Sequence, residues 1–233
     1  ASGLTHWADA LLELQREGLK LISEQKEALE AEIKDGAIPI FMHGAETQLE
    51  TTPEQYKTCF NPLWIKEDQP QSLEPAFFWD HTKNLITTKD PSLTSNVPLR
   101  PYILLIKPTL KVEPRTMKKT VPEQKAELEL MNEERAQYNL SPLFSVKPAE
   151  YGTLQLRFTH TIASTSPRSL TTITPLDNWY NSYTRFIDLP LSAGGDVSNA
   201  CFGPGDRPLR FGWDDAGWRD GQSGFRPASR GEL

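Results

Sequence analysis

The sequence predicts an α+β protein with a long N-terminal helix, a proline-rich middle with short strands and one further helix, and a loop-rich β unit at the C-terminus. Three observations support this prediction. Apolar residues recur at helical spacing between Leu4 and Lys34, prolines then interrupt the chain repeatedly, and the residue types change near Lys147. The predicted regions are therefore 1–35, 36–147 and 148–233.

The first region is expected to form a single helix. Leu11, Leu14 and Leu21 share one stripe of that helix with Gly18, and Gly36 stands where glycine commonly ends a helix. Eight Asp or Glu residues against four Lys or Arg make the outer face acidic. The helix is interpreted as packing on the core or, alternatively, as a stalk that oligomerises or binds a partner.

The middle region is expected to contain only short strands and turns at first. Eight prolines fall between residues 36 and 101, and proline is poorly tolerated inside strands and helices. Two apolar segments in this stretch, PIFMHG and AFFWDH, are expected to be buried. The apolar run Tyr102–Lys107 is then expected to be a strand.

A second helix is predicted from Thr120 to Asn139. Thr120 and Glu123 match a capping box, in which each residue satisfies a backbone amide at the start of the helix. Pro122 is tolerated in the first turn, and Pro142 follows the end. Because most of this helix is polar, it is expected to lie on the surface.

The C-terminal region has a different composition. No lysine follows Lys147, whereas eight of the twelve arginines do, and nine of the fourteen glycines fall between Gly194 and Gly231. Asp also replaces Glu as the main acid, and Asp and Gly favour turns. Residues 153–162 alternate between apolar and polar and predict a strand, and residues 178–191 predict a strand with or without a helix.

Charge and composition argue against two classes of partner. Proteins that bind nucleic acid neutralise its phosphates with positively charged side chains. The net charge of this chain is −6, so nucleic acid is not expected to be a partner. No apolar run approaches the roughly 20 residues that cross a bilayer, so no membrane span is expected, and no signal peptide is visible. Cys59 and Cys201 fit no disulfide or metal framework.

Evidence for catalysis is weak, and an enzyme is only an alternative reading. Asp80 and His81 are adjacent, but neighbouring side chains on a strand point to opposite faces, and no GxSxG motif supplies a nucleophile. A hydrolase or metal-dependent enzyme around His81 or the aspartates is kept as one alternative.

No cofactor is expected, although the C-terminal aspartates raise the possibility of calcium. Five aspartates lie within 25 residues, on turns rich in glycine, and carboxylate oxygens are calcium ligands. They are Asp196, Asp206, Asp214, Asp215 and Asp220. The alternative is that these aspartates cap turns and pair with Arg207, Arg210 or Arg219.

The final segment carries the candidate binding residues. Disordered tails are poor in aromatic residues, whereas this one is rich in them. Aromatic and arginine side chains are enriched where proteins bind partners. The predicted ligand-binding residues are Trp213, Trp218, Arg219 and Phe225. The alternative is that the aromatic residues close a loop-rich core.

The same segment resembles the closing part of the C-type-lectin fold of the formylglycine-generating-enzyme type. Arg210–Trp213 is similar to the Arg-Gly-Gly-Ser-Trp landmark of that fold, and Gly224–Arg226 matches its Gly-Phe-Arg landmark. Variable proteins diversified by retroelements display ligand-binding residues between these landmarks, here Asp214–Ser223. The enzymes of this family use two nearby cysteines, whereas only Cys201 is near, so their activity is not implied.

Two non-enzymatic functions are therefore expected. The first is a recognition module whose aromatic, arginine and glycine surface binds a protein or glycan. The second is a structural subunit of a larger assembly, such as a virion, a phage tail or an organellar complex, because irregular proline-rich chains often gain order from neighbours. A homo-oligomer is compatible with either function.

Overall fold

The computed structural model describes residues 2–16, 18–42, 98, 100–107, 109, 111–148, 150–151, 154, 182–202 and 209–231. Within these residues the helices are α1 (Ser2–Arg16), α2 (Ser23–Lys34) and α3 (Val121–Ala136), with a 3-10 turn at Pro114–Thr116. Together with the two sheets below, they confirm the α+β class. None of the described helices is long and apolar enough to cross a bilayer.

Eight described strands form two four-stranded sheets. The first sheet contains β1 (Ile38–Met42), β2 (Tyr102–Ile106), β8 (Pro227–Gly231) and β3 (Phe144–Ser145), in that spatial order. The second contains β6 (Leu209–Asp215), β5 (Asp196–Phe202), β4 (Tyr183–Arg185) and β7 (Ser223–Gly224), in that order. All described pairings are antiparallel except β4 with β7.

The prediction of one long N-terminal helix is wrong, because α1 ends at Gly18. Gly18 adopts a left-handed φ of 71°, its N–H donates to the Gln15 carbonyl, and Leu19 N–H donates to the Leu14 carbonyl. These two bonds form a Schellman motif, which ends a helix at a left-handed residue. Gly36 ends α2 in the same way, as predicted, with a φ of 94°.

Three other local predictions are confirmed. The capping box forms at α3, where the Thr120 hydroxyl accepts from Glu123 N–H and the Glu123 carboxylate accepts from Thr120 N–H. The apolar run that begins at Tyr102 is strand β2, and residues 39–42 of PIFMHG are buried within β1. His43 and Gly44 lie outside the described residues. These elements form where local patterns and caps agree with burial.

The first sheet is covered on both faces. Alternate side chains of a strand point to opposite faces, so Ile103 and Leu105 of β2 pack with Leu14 and Leu29 of the N-terminal helices. Leu104 on the other face belongs to a cluster shared with the second half of the chain. That cluster includes Tyr151, Phe186 and Ala200.

A third cluster joins α3 to the second sheet through Val121, Met131, Val197 and Phe225.

Strand β8 lies between β2 and β3, although it comes from the end of the chain. The first sheet therefore draws strands from both sides of the predicted boundary at residue 148, and the division into three regions stays a prediction. Of the predicted strand 153–162, the structure describes only Leu154, which is helical. The rest of that strand, the segment AFFWDH with His81, and Cys59 lie outside the described residues. Cys201 on β5 is buried.

Candidate functional site

The structure separates the four residues predicted to bind a ligand. Trp218 is 56% exposed, and the Arg219 side chain is 59% exposed beside it. Trp213 lies on β6, opposite Ser198 of β5, and only its backbone is described. Phe225 is completely buried. Trp218 and Arg219 therefore remain as candidates for contact with a partner.

The expectation that Phe225 is a surface residue is wrong. Its ring packs with Val121 and Met131 of α3 and with Val197 of β5. Its N–H donates to the Thr116 hydroxyl at 3.2 Å, and its carbonyl accepts from Glu113 N–H. Burying a large aromatic ring is strongly favourable, so Phe225 serves the core that joins α3 to the second sheet.

A buried arginine, Arg185, binds the backbone of the segment that carries Trp218. Arg185 of β4 has no exposed surface. Both of its terminal nitrogens lie 3.2 Å from the Trp218 carbonyl, and Nη1 also donates to the Lys119 carbonyl at 3.2 Å. Nε and Nη2 contact Asp214 Oδ2 at 3.4 Å. Arg185 thus binds the backbone of this segment at Trp218, the backbone before α3 at Lys119, and Asp214 at the end of β6.

Backbone hydrogen bonds fix the same segment to the start of α3. Val121 N–H donates to the Ala216 carbonyl at 2.8 Å, and Lys118 N–H donates to the Asp220 carbonyl at 2.9 Å. Asp215 caps the turn locally, because its carboxylate accepts from Gly217 N–H at 2.7 Å. The backbone from Ala216 to Asp220 is therefore ordered before any partner arrives.

Arg219 is oriented by the capping box of α3. Its Nη2 donates to Glu123 Oε1 at 2.6 Å, while the other oxygen of Glu123 accepts from Thr120 N–H. The hydrogen bond from the Thr120 backbone, with further contributions from the Thr120 hydroxyl and Arg219, lowers the pKa of Glu123. The guanidinium of Arg219, the residue after Trp218 in the sequence, is thus bound to the start of α3.

The C-terminal aspartates act as caps and pairing groups in the described residues. Asp214 contacts Arg185, Asp215 caps a turn, and Asp220 accepts from Gln222 N–H and the Ser223 hydroxyl. Asp206 lies outside the described residues. In the part of the chain that the structure describes, no group of three or more His, Cys, Asp or Glu side chains is placed to hold a metal.

Arg185 was not singled out from the sequence. Its partners lie at Lys119, Asp214 and Trp218, so no local pattern connects them. The single signal in the sequence is the replacement of lysine by arginine after Lys147. Arginine carries five donors in a planar group, which suits a buried site with several acceptors.

No protein-family model, curated protein or solved structure matches this chain. The resemblance to the C-type-lectin fold therefore stays a prediction. In the structure its first landmark, Arg210–Trp213, lies on β6, and its second begins at Gly224 in β7. The interval between the landmarks contains the segment that carries Trp218 and Arg219.

Proposed function

We propose that this protein is a recognition module that binds a protein partner through the segment Ala216–Asp220. Trp218 supplies the apolar anchor, and Arg219 supplies a charged donor beside it. The observation that carries the proposal is the buried Arg185, which binds the Trp218 carbonyl while the Trp218 side chain remains 56% exposed. A large exposed ring on a backbone that is already ordered loses little entropy on binding.

The shape of the site favours a protein over a glycan. Trp218 lines neither the cleft between α3 and β8 nor the cleft beside the end of β8. A projecting indole requires its partner to supply the pocket, and tryptophan and arginine are the residues that most often dominate the binding energy of protein interfaces. We therefore expect a partner with an apolar pocket and a neighbouring carboxylate.

Site-specific photo-crosslinking tests this function. The crosslinking residue p-benzoylphenylalanine is placed at position 218 in cells that express the protein, and crosslinked products are identified by mass spectrometry. The control places it at Tyr138, which is 75% exposed just beyond the far end of α3. At 1.5 Å per helical residue, the two ends of α3 are about 25 Å apart. We expect a product specific to position 218.

Affinity measurements with the identified partner complete the test. Because removal of a central tryptophan commonly costs about 2 kcal/mol or more of binding free energy, Trp218→Ala should weaken binding at least tenfold. Tyr138→Ala should leave the affinity unchanged. Equal crosslinking at both positions, or equal affinity of Trp218→Ala and the unsubstituted protein, would reject the proposal.

A further inference from the structure

A second candidate site, remote in the fold from Trp218, is a cleft of about 920 Å³ beside the end of β8. Its walls come from α2, from the approach to β2, and from the segment that leads into β3. They include Leu29, Pro101, Pro142 and Phe144, which make the walls largely apolar. Binding sites of this size in proteins are commonly apolar with a few polar groups that orient the ligand.

The cleft is positively charged although the chain as a whole is acidic. Arg100 and Arg230 line it, and no Asp or Glu is among the described residues at its wall. The net charge of the whole chain is −6. Glu150 pairs with Arg230 from behind, so the positive charge of Arg100 and the open edge of Arg230 are what favour an occupant with a carboxylate or another anionic group.

Arg230 is held in place from behind by a buried carboxylate. Glu150 is completely buried, and its Oε1 accepts from Arg230 Nε at 3.0 Å and from the Tyr102 hydroxyl at 2.7 Å. Its Oε2 accepts from Lys147 N–H at 2.8 Å. Burial, followed by the charge of Glu150, raises the pKa of Tyr102 far above its usual range, so the hydroxyl stays protonated and remains a donor.

One edge of the Arg230 guanidinium remains available to the cleft. Nε and Nη2 both face Glu150 Oε1, and the group lies 3.5 Å above the centre of the Phe144 ring. Nη1 has no hydrogen-bond partner among the described residues, and the side chain keeps 21% of its surface exposed. Arg230 is therefore fixed in position with two N–H groups left to bind an anion.

The backbone of β8 is also open at this point. On one side, β2 pairs with all of Ala228–Gly231. On the other side, β3 pairs only with Pro227 and Ala228, and no described strand continues past them. The cleft lies where β3 stops, and Arg230 and Gly231 line it on an edge of β8 that no strand of the described residues covers.

The alternation of backbone hydrogen bonds along β8 shows which residue directs its N–H and carbonyl toward the cleft. Val146 N–H donates to the Arg226 carbonyl at 3.0 Å. In an antiparallel pair, every second residue of a strand directs its N–H and carbonyl to the same neighbouring strand. Since Arg226 bonds to Val146, the N–H and carbonyl of Arg230 point to the same edge of β8, which β3 covers as far as Ala228. Continuing the register would place Pro142 opposite Arg230, but no described backbone hydrogen bond joins the two residues, and proline has no N–H to donate.

We propose that this cleft binds an acidic, extended segment of a partner protein, which adds as a strand to β8 beyond the end of β3. The segment exchanges two backbone hydrogen bonds with Arg230, and one of its carboxylates pairs with Arg230 Nη1 and with Arg100. Addition of a strand to an exposed sheet edge is a common mode of peptide recognition. This site is independent of Trp218.

Peptide selection on the full chain tests the charge requirement. A phage-displayed library of random heptapeptides is selected on the protein and on Arg100→Glu, whose exposed side chain makes no described contact. We expect acidic peptides to be enriched on the protein and lost on Arg100→Glu, and Trp218→Ala to select the same peptides. Enrichment of neutral or basic peptides, or equal enrichment on Arg100→Glu, would overturn the proposal.

Backbone methylation of a selected peptide tests strand addition. Each amide nitrogen is methylated in turn, and the dissociation constant is measured by fluorescence anisotropy. We expect the methyl group opposite Arg230 to weaken binding at least tenfold and the methyl groups on either side of it to be tolerated, because their amides point away from β8. Uniform tolerance would show an anion site without strand addition and would overturn the proposal.

Two other occupants are distinguishable in the same experiments. Free glutamate that competes as well as the peptide would assign the cleft to a small anion. Selection of no peptide, together with self-association of the chain that Arg100→Glu abolishes in sedimentation, would assign it to a second copy of this chain. Either result would overturn the proposal.

Discussion

Arg185 and Arg230 both come from the C-terminal part of the chain, yet they use their donors differently. The Arg185 side chain is completely buried, and its nitrogens contact two backbone carbonyls and Asp214. Arg230 is anchored by Glu150 on one edge and keeps the other edge open to a cleft. The comparison teaches that an arginine with all its donors satisfied shapes the backbone, whereas one with an open edge is available to a ligand.

The largest effect is expected from removing Arg185. Arg185→Leu leaves Asp214 and the carbonyls of Lys119 and Trp218 without their donor, and removal of one partner from a buried charged pair commonly costs about 3–5 kcal/mol. Denaturant unfolding should show a loss of this order in the free energy of unfolding. Arg219→Ala, which removes an exposed ion pair, should change it by less than about 1 kcal/mol. Equal effects of the two substitutions would contradict the role given to Arg185.

A smaller difference is expected between Gly224 and Gly231, which lie near the two arginine sites. A Cβ at Gly224 would stand 2.4 Å from the Thr116 hydroxyl oxygen and 2.9 Å from Val112 Cγ2. Thr116 cannot easily give way, because its hydroxyl donates to the Glu113 carbonyl and accepts from the backbone. Overpacking of this kind costs about 1–3 kcal/mol, so Gly224→Ala should lower the free energy of unfolding by that amount.

Gly231→Ala is the matched control for this prediction. Its Cβ would stand 2.5 Å from Leu29 Cδ2, which is the end of a side chain that can rotate. Thermal unfolding of both variants should therefore show the larger shift for Gly224→Ala. A larger shift for Gly231→Ala would mean that α2 packs more rigidly against β8 than the second sheet packs against its neighbours.

The smallest effect is expected from acid titration of the tether between Arg219 and α3. The pKa of Glu123 is lowered in the folded protein from its ordinary value of 4.5. Its contribution to stability is therefore present above pH 4.5 and is lost as the pH falls from 4.5 through the folded pKa. In that window, the melting temperature of Glu123→Gln should fall less steeply than that of the unsubstituted protein. Parallel curves would show that Glu123 has no such contribution.

The sequence predicted features that depend on a few neighbouring residues. Gly36 ends α2, Thr120 and Glu123 cap α3, and the apolar run after Pro101 forms β2. Gly18 ends α1 by the same Schellman motif as Gly36, but the apolar stripe that continues past it concealed that signal. The sequence could not show that Trp218 is exposed and Phe225 buried, because both are aromatic residues on a glycine-rich segment.

Contacts that cross the chain were decided by the tertiary structure alone. Glu32 accepts two hydrogen bonds from Arg135, 103 residues away, and Glu150 binds Arg230 from 80 residues away. Which acid meets which arginine depends on how the sheets pack, since every acid and arginine is an equally suitable partner by residue type. Local propensities and caps act over three or four residues, and the sequence determines them by itself. The two candidate sites exist only because packing buries Arg185 completely and one edge of Arg230, and leaves Trp218 exposed and the end of β8 half-buried.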